Sequence, residues 1–83
     1  MRLDKYMKVS RLIKRREVAK EMIDRGFVSI NDKIAKPSSE IKVNDLILIN
    51  NPNGRRVLVK VLIVSEISTV KTASSMYEVI ESQ

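Results

Sequence analysis

The 83-residue sequence contains no cysteine and no histidine. Without cysteine there is no disulfide framework and no thiolate zinc site, and without histidine the commonest general base and metal ligand are missing. Glycine occurs only twice, which excludes a glycine-rich phosphate-binding loop. We therefore expect no cofactor and no metal, and we expect a protein that is not an enzyme.

Aromatic residues and long apolar runs are also scarce. The aromatic residues are Tyr6, Phe27 and Tyr77, and we expect them in the core. So few aromatic rings argue against a sheet or platform on which single-stranded bases stack. The charged start, Met1-Arg2-Leu3-Asp4-Lys5, does not resemble a signal peptide, and no apolar run approaches the roughly 20 residues of a membrane span. We expect a cytoplasmic protein with no membrane partner.

Positive charge is what the sequence has in excess. Lysine and arginine number 16 against 10 acids, for a net charge of +6, and the whole excess precedes Pro37. Such a one-sided distribution indicates a polyanionic partner, whereas solubility alone would be served by dispersed charge. The apolar fraction of 43% suffices for one globular domain over residues 1–83.

Apolar spacing predicts two helices in the basic part of the chain. The first covers residues 2–9, where Leu3, Tyr6 and Met7 recur at helical spacing and Asp4 and Lys8 form an i, i+4 pair. The second covers residues 15–25 and ends at Gly26. Its predicted core stripe is Val18, Ala19, Met22 and Ile23.

Arg16 and Lys20 stand four residues apart on one flank of this second helix. Like charges at that spacing repel each other, so their proximity is easier to explain if an anion binds there. Because Arg16 lies beside the core stripe, we expect Arg16→Ala to change the free energy of unfolding by no more than about 0.5 kcal/mol.

The rest of the chain reads as short strands. Residues 28–30 and 34–35 are expected to form a hairpin around Asn31-Asp32, since both residues tolerate positive φ. Strands are also predicted over 46–49 and 57–64, on either side of a turn at 50–54. Residues 73–76 suggest a helical turn, and residues 77–80 either extend it or pair as a strand. The predicted fold class is α+β.

An ordered set of residues resembles the S4 (S-four) RNA-binding domain family. The set begins with Arg2-Leu3-Asp4-Lys5 and continues with Arg16 opening a helix, then Ala19, Ile23 and Gly26, then Val28-Ser29-Ile30-Asn31, and then Asn44-Asp45 before a strand. The resemblance implies a two-helix hairpin, the αL motif, packed on a small and mostly antiparallel bent sheet. It covers an RNA-binding core at about residues 2–50, followed by a strand and short extension over about 55–83. The sequence departs from the family at Asp32, where glycine is common.

Nearly the whole chain, including Met76-Tyr77, is similar to the RqcP family of stand-alone bacterial factors of ribosome-associated quality control. This resemblance implies a monomer that binds the rRNA of a large ribosomal subunit still carrying peptidyl-tRNA. There it would support C-terminal alanine tailing by the factor RqcH. The residues expected to contact RNA are Arg2, Lys5, Lys8, Arg11, Lys14, Arg15, Arg16, Lys20, Asn31 and Lys33.

Three alternatives remain open at this level. One is general binding of structured RNA, or the role of the related fifteen-kilodalton ribosome-associated heat-shock protein, which shares the Lys36-Pro37-Ser38 loop. Another is a helix-turn-helix DNA-binding protein, because two helices with a short connector are compatible with that motif. The last is an RNA-modifying enzyme, which would need a catalytic domain on a second polypeptide.

Overall fold

Both predicted helices form in the computed structural model, which describes residues 1–83 except the side chain of Val70. Helix α1 is Leu3–Val9 and helix α2 is Arg16–Asp24, each slightly shorter than predicted. The difference arises because Arg2 and Arg15 have extended backbones and precede their helices as N-cap residues. Both arginines therefore lie at helix starts, on the boundary between loop and helix.

Helix α2 ends as predicted, at a left-handed glycine. The N–H of Gly26 donates to the Ile23 carbonyl and the N–H of Phe27 donates to the Met22 carbonyl, both at 3.0 Å. This pair of bonds is the Schellman arrangement, which needs a positive φ at its central residue, and Gly26 has a φ of 81°. The chain is thereby turned from α2 into the first strand.

Five strands form one antiparallel sheet. They are β1, Val28–Ile30; β2, Lys33–Ile34; β3, Leu46–Asn50; β4, Arg56–Val61; and β5, Tyr77–Ser82. Their order in the sheet is β2-β1-β3-β4-β5. Strand β1 is where it was predicted, while β2 begins one residue earlier and β3 ends one residue later. A last helix, α3, is Val70–Ala73.

The β1–β2 turn is built as expected despite the missing glycine. Asn31 and Asp32 have φ values of 49° and 69°, the left-handed conformation that both residue types tolerate. The Asn31 side chain also joins β1 to β3. Its Oδ1 accepts from the Leu46 N–H at 2.9 Å and its Nδ2 donates to Asp45 Oδ1 at 3.1 Å.

Strand β4 ends at Val61, before the predicted limit at residue 64. The next two amides, of Leu62 and Ile63, both donate to the Met76 carbonyl, so the chain leaves the ladder there. The structure also decides between the two options for residues 77–80, which pair with β4 as a strand. The predicted helical turn lies earlier than expected, because Thr69 caps α3 through the N–H of Thr72.

The two main helices bury their apolar residues against one face of the sheet. The core contains Leu3, Tyr6 and Met7 from α1, with Ala19 and Ile23 from α2. It is completed by sheet residues such as Val28, Ile47, Ile49, Val59 and Val61. The predicted stripe of α2 is wrong at Val18, which is 43% exposed, because α2 packs mainly against α1 and buries only Ala19 and Ile23 of that stripe. The result is the expected α+β architecture.

Helix α1 is held in place by two segments that are distant in sequence, residues 37–39 and the residue before β5. Its first amides, of Leu3 and Asp4, donate to the carbonyls of Ser39 and Pro37 at 2.8 and 3.2 Å. On the other side, the buried Tyr6 hydroxyl donates to the Met76 carbonyl at 2.8 Å, and burial raises the pKa of Tyr6. The position of α1, and of the bases it carries, therefore depends on residues that follow Lys36 in the chain.

Candidate nucleic-acid interface

A buried carboxylate lies at the centre of the basic surface. Asp4, only 2% exposed, accepts from Arg2 Nε at 3.2 Å and Nη2 at 3.3 Å. Arg16 approaches the same carboxylate from α2, with Nε and Nη2 at 3.4 and 3.5 Å. The predicted pair between Asp4 and Lys8 is replaced by these contacts, because the Asp4 side chain turns inward between the helices.

Asp4 is stabilised as an anion in this position. Burial by itself raises its pKa, but hydrogen bonds from Arg16 and the Lys5 N–H, with the charges of Arg16 and Arg2, outweigh burial and lower the pKa overall. The Lys5 N–H donates to Asp4 Oδ1 at 2.8 Å. The carboxylate therefore carries a full charge at neutral pH and orients two guanidinium groups.

Arg2 and Arg16 remain accessible although Asp4 binds both of them. Their side chains are 50% and 45% exposed. A guanidinium has five N–H donors, and in each arginine only two nitrogens contact the carboxylate. Each therefore keeps donors for a phosphate or a base edge, the groups that arginine binds through two parallel hydrogen bonds.

The link to Asp4 corrects one expectation about Arg16. Arg16 is exposed and outside the core, as its position beside the stripe predicted, but it also neutralises a buried charge. Because half of its side chain is in water, we expect its removal to cost about 1 kcal/mol, which exceeds the earlier limit of half that value.

Two adjoining clefts lie beside this Arg–Asp–Arg cluster. One, of about 630 Å³, is lined by Lys8, Arg11 and Lys14 together with residues of the segment after β4. The other, of about 530 Å³, is lined by Lys5, Lys8, Lys14, Arg15 and Arg16, with Glu17 and Glu66. Basic side chains from α1, from the 10–15 connector and from the start of α2 thus converge on one surface.

The connector between α1 and α2 holds an arginine in a conformation that usually belongs to glycine. Arg11 has a φ of 62°, and its N–H donates to the Lys8 carbonyl at 3.0 Å, while the Ile13 N–H donates to the Met7 carbonyl. Left-handed backbone is strained for a residue with a Cβ. The strain is tolerated here at a position whose side chain lines the larger cleft.

The segment between β4 and α3 forms the opposite wall of the clefts. Ser68 donates a hydrogen bond to the Val9 carbonyl at the end of α1, and Lys5 Nζ lies 3.2 Å from a Glu66 carboxylate oxygen. Ile67, which is 84% exposed, lines the larger cleft beside them. Residues 37–83, which carry no net charge, therefore contribute to the basic surface.

The structure brings most of the predicted contact residues together. Six line the two clefts: Lys5, Lys8, Arg11, Lys14, Arg15 and Arg16. Arg2 joins them through Asp4, and Lys20 is exposed one turn beyond Arg16 on α2. Asn31 and Lys33 lie apart, at the β1–β2 turn, where the amide group of Asn31 binds Asp45 and Leu46. All ten assignments stay predictions.

Sequence reasoning did not find the acidic members of this surface. Asp4 had a usable signal, since it follows Leu3 and precedes Met7 by three residues, which places it near the buried stripe of α1. Glu66 had none, because it is distant in sequence from every base that it approaches. Among the residues that the structure describes, no group of acidic side chains has an arrangement able to hold a metal ion.

These features define a small α+β domain whose helix pair presents a basic surface. The sequence model of the S4 domain matches residues 1–47, and the chain belongs to the S4 domain family. This membership and the helix-on-sheet architecture leave no support for the helix-turn-helix alternative. No helix in the described part of the chain is long and apolar enough to span a membrane.

Similar proteins narrow the comparison further. The chain is 50% identical over 80 residues to the RQC P-site tRNA stabilizing factor of Streptococcus pneumoniae, covering 96% of this chain and 90% of that protein. It is 41% identical to the factor of the same name from Bacillus subtilis, over 100% and 95% of the two chains. Among solved structures, the trimeric structure of Vibrio cholerae Heat Shock Protein 15 superposes with a TM-score of 0.86 at 25% identity, covering 95% and 80% of the two chains.

Proposed function

We propose that this chain is a non-catalytic RNA-binding factor that stabilises P-site tRNA on the large ribosomal subunit during ribosome-associated quality control. The observation that carries the proposal is the convergence of six basic side chains on two adjoining clefts beside Arg2 and Arg16. Phosphate contacts from lysine and arginine supply most of the affinity for RNA, and a double-stranded surface offers phosphates at regular spacing.

The similarity to proteins named RQC P-site tRNA stabilizing factor supports the choice of tRNA as the ligand. It extends over almost the full length of both chains. Vibrio cholerae Heat Shock Protein 15 has a similar fold but is only 25% identical to this chain. It therefore supports a heat-shock role less strongly than the factors above support tRNA binding. The proposal includes a monomer in the cytoplasm that contacts both rRNA and peptidyl-tRNA, with no cofactor.

The proposal also includes RqcH as a partner on the same particle. In this scheme the basic surface binds RNA and leaves the chemistry of alanine addition to RqcH. The factor would keep the tRNA in position between additions, which requires binding and no catalytic group. Deleting the factor should therefore shorten the alanine tails made on stalled subunits, and unchanged tails would contradict this part of the proposal.

Ribosome fractionation tests the RNA-binding role. Wild-type protein should co-sediment with large subunits, whereas Arg16→Ala should move into the free pool, since losing a bidentate contact costs on the order of 1–3 kcal/mol of binding. Arg16→Lys should bind partially because it keeps the charge without the planar group. Arg56→Ala removes the same charge from the exposed start of β4 and should co-sediment normally.

The melting temperature of each variant is measured alongside. Arg16→Ala should melt roughly 4–8 °C lower, the shift that a loss of about 1 kcal/mol produces in a domain of this size. If Arg16→Ala is folded and co-sediments like wild type, the contact assigned to Arg16 does not exist. If the wild-type protein does not sediment with large subunits, the proposed function is wrong.

A further inference from the structure

Arg2 and Arg16 use the same edge of their guanidinium groups to contact Asp4. In both side chains the contacting nitrogens are Nε and Nη2, at 3.2 to 3.5 Å from the two carboxylate oxygens. A guanidinium has a second pair of parallel N–H groups, on Nη1 and Nη2, at the end of the side chain. The contacts with Asp4 do not use this end pair, which is directed away from the carboxylate and has the spacing that a phosphate accepts.

The Asp4 carboxylate is itself fixed and shielded. Asp4 is 2% exposed, and the Lys5 N–H donates to its Oδ1 at 2.8 Å. Arg2 immediately precedes α1 and Arg16 is the first residue of α2, so one carboxylate links the starts of both helices. Because the carboxylate is buried while both arginine side chains are about half exposed, an anion arriving from solvent meets the guanidinium groups first.

We propose that Asp4 is a positioning residue for RNA binding, which holds Arg2 and Arg16 as one preformed phosphate-binding unit with their end pairs of N–H groups outward. This inference rests on the proposed function and deepens it. Ordering a long side chain at an interface weakens binding by roughly two- to tenfold. Asp4 orders two such side chains before RNA arrives. It also offsets the repulsion between two like charges that different helices bring together.

Charge counting alone predicts the opposite result. Asp4 lowers the net charge of the basic surface, so its neutralisation would strengthen the binding of a polyanion if only charge mattered. Glu66 provides the matched control. Its carboxylate also lies beside a base of this surface, at 3.2 Å from Lys5 Nζ, but its side chain is 70% exposed. Asp4→Asn and Glu66→Gln therefore remove one negative charge each, and only Asp4→Asn releases two arginines.

The first experiment measures the affinity for a folded tRNA transcript at one salt concentration, well below the melting temperature of each variant. Asp4→Asn should weaken binding by about three- to tenfold, since the RNA must then order both arginines. Glu66→Gln should leave the affinity unchanged or raise it by up to about threefold. In an Arg16→Ala background the loss caused by Asp4→Asn should shrink, because only Arg2 remains to be positioned. The inference is overturned if folded Asp4→Asn binds tRNA as tightly as wild type, or if its loss is undiminished without Arg16.

NMR of the wild-type protein without RNA tests the positioning directly and requires no variant to fold. The heteronuclear NOE of each arginine Nε–H group reports side-chain motion on the picosecond-to-nanosecond timescale. Arg15 is the matched control, because it is exposed, lines the same cleft as Arg16 and makes no ion pair in the described part of the chain. The Nε–H groups of Arg2 and Arg16 should be ordered like the backbone, and that of Arg15 should be mobile.

The two experiments separate this inference from the proposed function. If Arg2 and Arg16 are as mobile as Arg15, Asp4 does not position them and the inference is wrong even though tRNA binds. If Arg2 and Arg16 are ordered but the wild-type protein does not bind tRNA, the proposed function is refuted, and the role of Asp4 in RNA binding is refuted with it.

Discussion

We divide the molecule into a helical half, residues 1–36, which holds α1, α2 and the β1–β2 hairpin, and a sheet half, residues 37–83, which holds β3, β4, β5 and the short α3. The two halves differ in charge but share the candidate interface. All of the net positive charge lies in the helical half. Yet the sheet half anchors both ends of α1 and supplies Glu66, Ile67 and Ser68 to the larger cleft. Charge distribution indicates the half that we propose binds a polyanion, while the shape of the surface depends on both halves.

Two acids near the same bases illustrate this difference. Asp4, from the helical half, is buried and orients Arg2 and Arg16. Glu66, from the sheet half, is exposed and pairs with Lys5 at 3.2 Å. A buried carboxylate thus fixes the position of two bases, whereas an exposed one forms a pair that contributes little to stability.

The largest expected effect comes from neutralising paired arginines in the two halves. Replacing Arg15 and Arg16 with alanine should reduce tRNA affinity by on the order of 1–3 kcal/mol for each lost contact. Replacing Arg55 and Arg56, which removes equal charge at the β3–β4 turn and the start of β4, should cost much less. Titrations at one fixed salt concentration provide the comparison. Equal losses would show that the binding surface extends beyond the helical half.

The next effect concerns stability. Asp4→Asn should lower the free energy of unfolding by about 1–3 kcal/mol, because two arginines lose a buried anionic partner. Asp24→Asn alters an exposed acid at the end of α2 and should change stability by less than about 0.5 kcal/mol. Urea unfolding measures both variants. If Asp4→Asn destabilises the domain no more than Asp24→Asn does, the Arg–Asp–Arg cluster contributes nothing to the stability of the fold.

A third change should separate stability from binding. Arg11→Gly relieves the left-handed strain at the end of α1 and should stabilise the domain by about 1 kcal/mol. The same change removes a base from the larger cleft, so RNA affinity should fall. Thermal melting and tRNA titration, with Arg25→Ala as a control outside the clefts, would show the two opposite changes. A lower melting temperature would contradict the assignment of strain to Arg11.

The smallest effect is a dependence of stability on pH. The pKa of Asp4 is lowered on folding, so its contribution is fully present above the unfolded value near 3.8 and is lost as pH falls through the lower folded value. The N-terminal ammonium also lowers the pKa of Glu40, so wild type alone would report both groups. The difference in melting temperature between wild type and Asp4→Asn isolates Asp4. That difference should be constant above about pH 5 and shrink in more acidic solution. A difference that grows in acid would mean that folding raises the pKa of Asp4.

Local rules predicted much of the fold because they act over a few residues. The apolar spacing of Leu3, Tyr6 and Met7 located α1, and Gly26 located the end of α2. Strand β1 was predicted to the residue. The ends of β2, β3 and β4 were less accurate, because they depend on where a neighbouring strand stops pairing. The option of a strand at residues 77–80 required the partner strand to be known.

The sequence by itself determined the class of ligand, since net charge and its confinement to residues 1–36 do not depend on folding. It also predicted the start of both helices to within one residue, because apolar periodicity sets the approximate helix limits. Only the tertiary structure decided that Arg2 and Arg16 share Asp4 and that Glu66 lies against Lys5. Arg16 is 12 residues from Asp4, and Glu66 is 61 residues from Lys5. Contacts at such separations arise when helices and sheet pack around a common core, which no local pattern encodes.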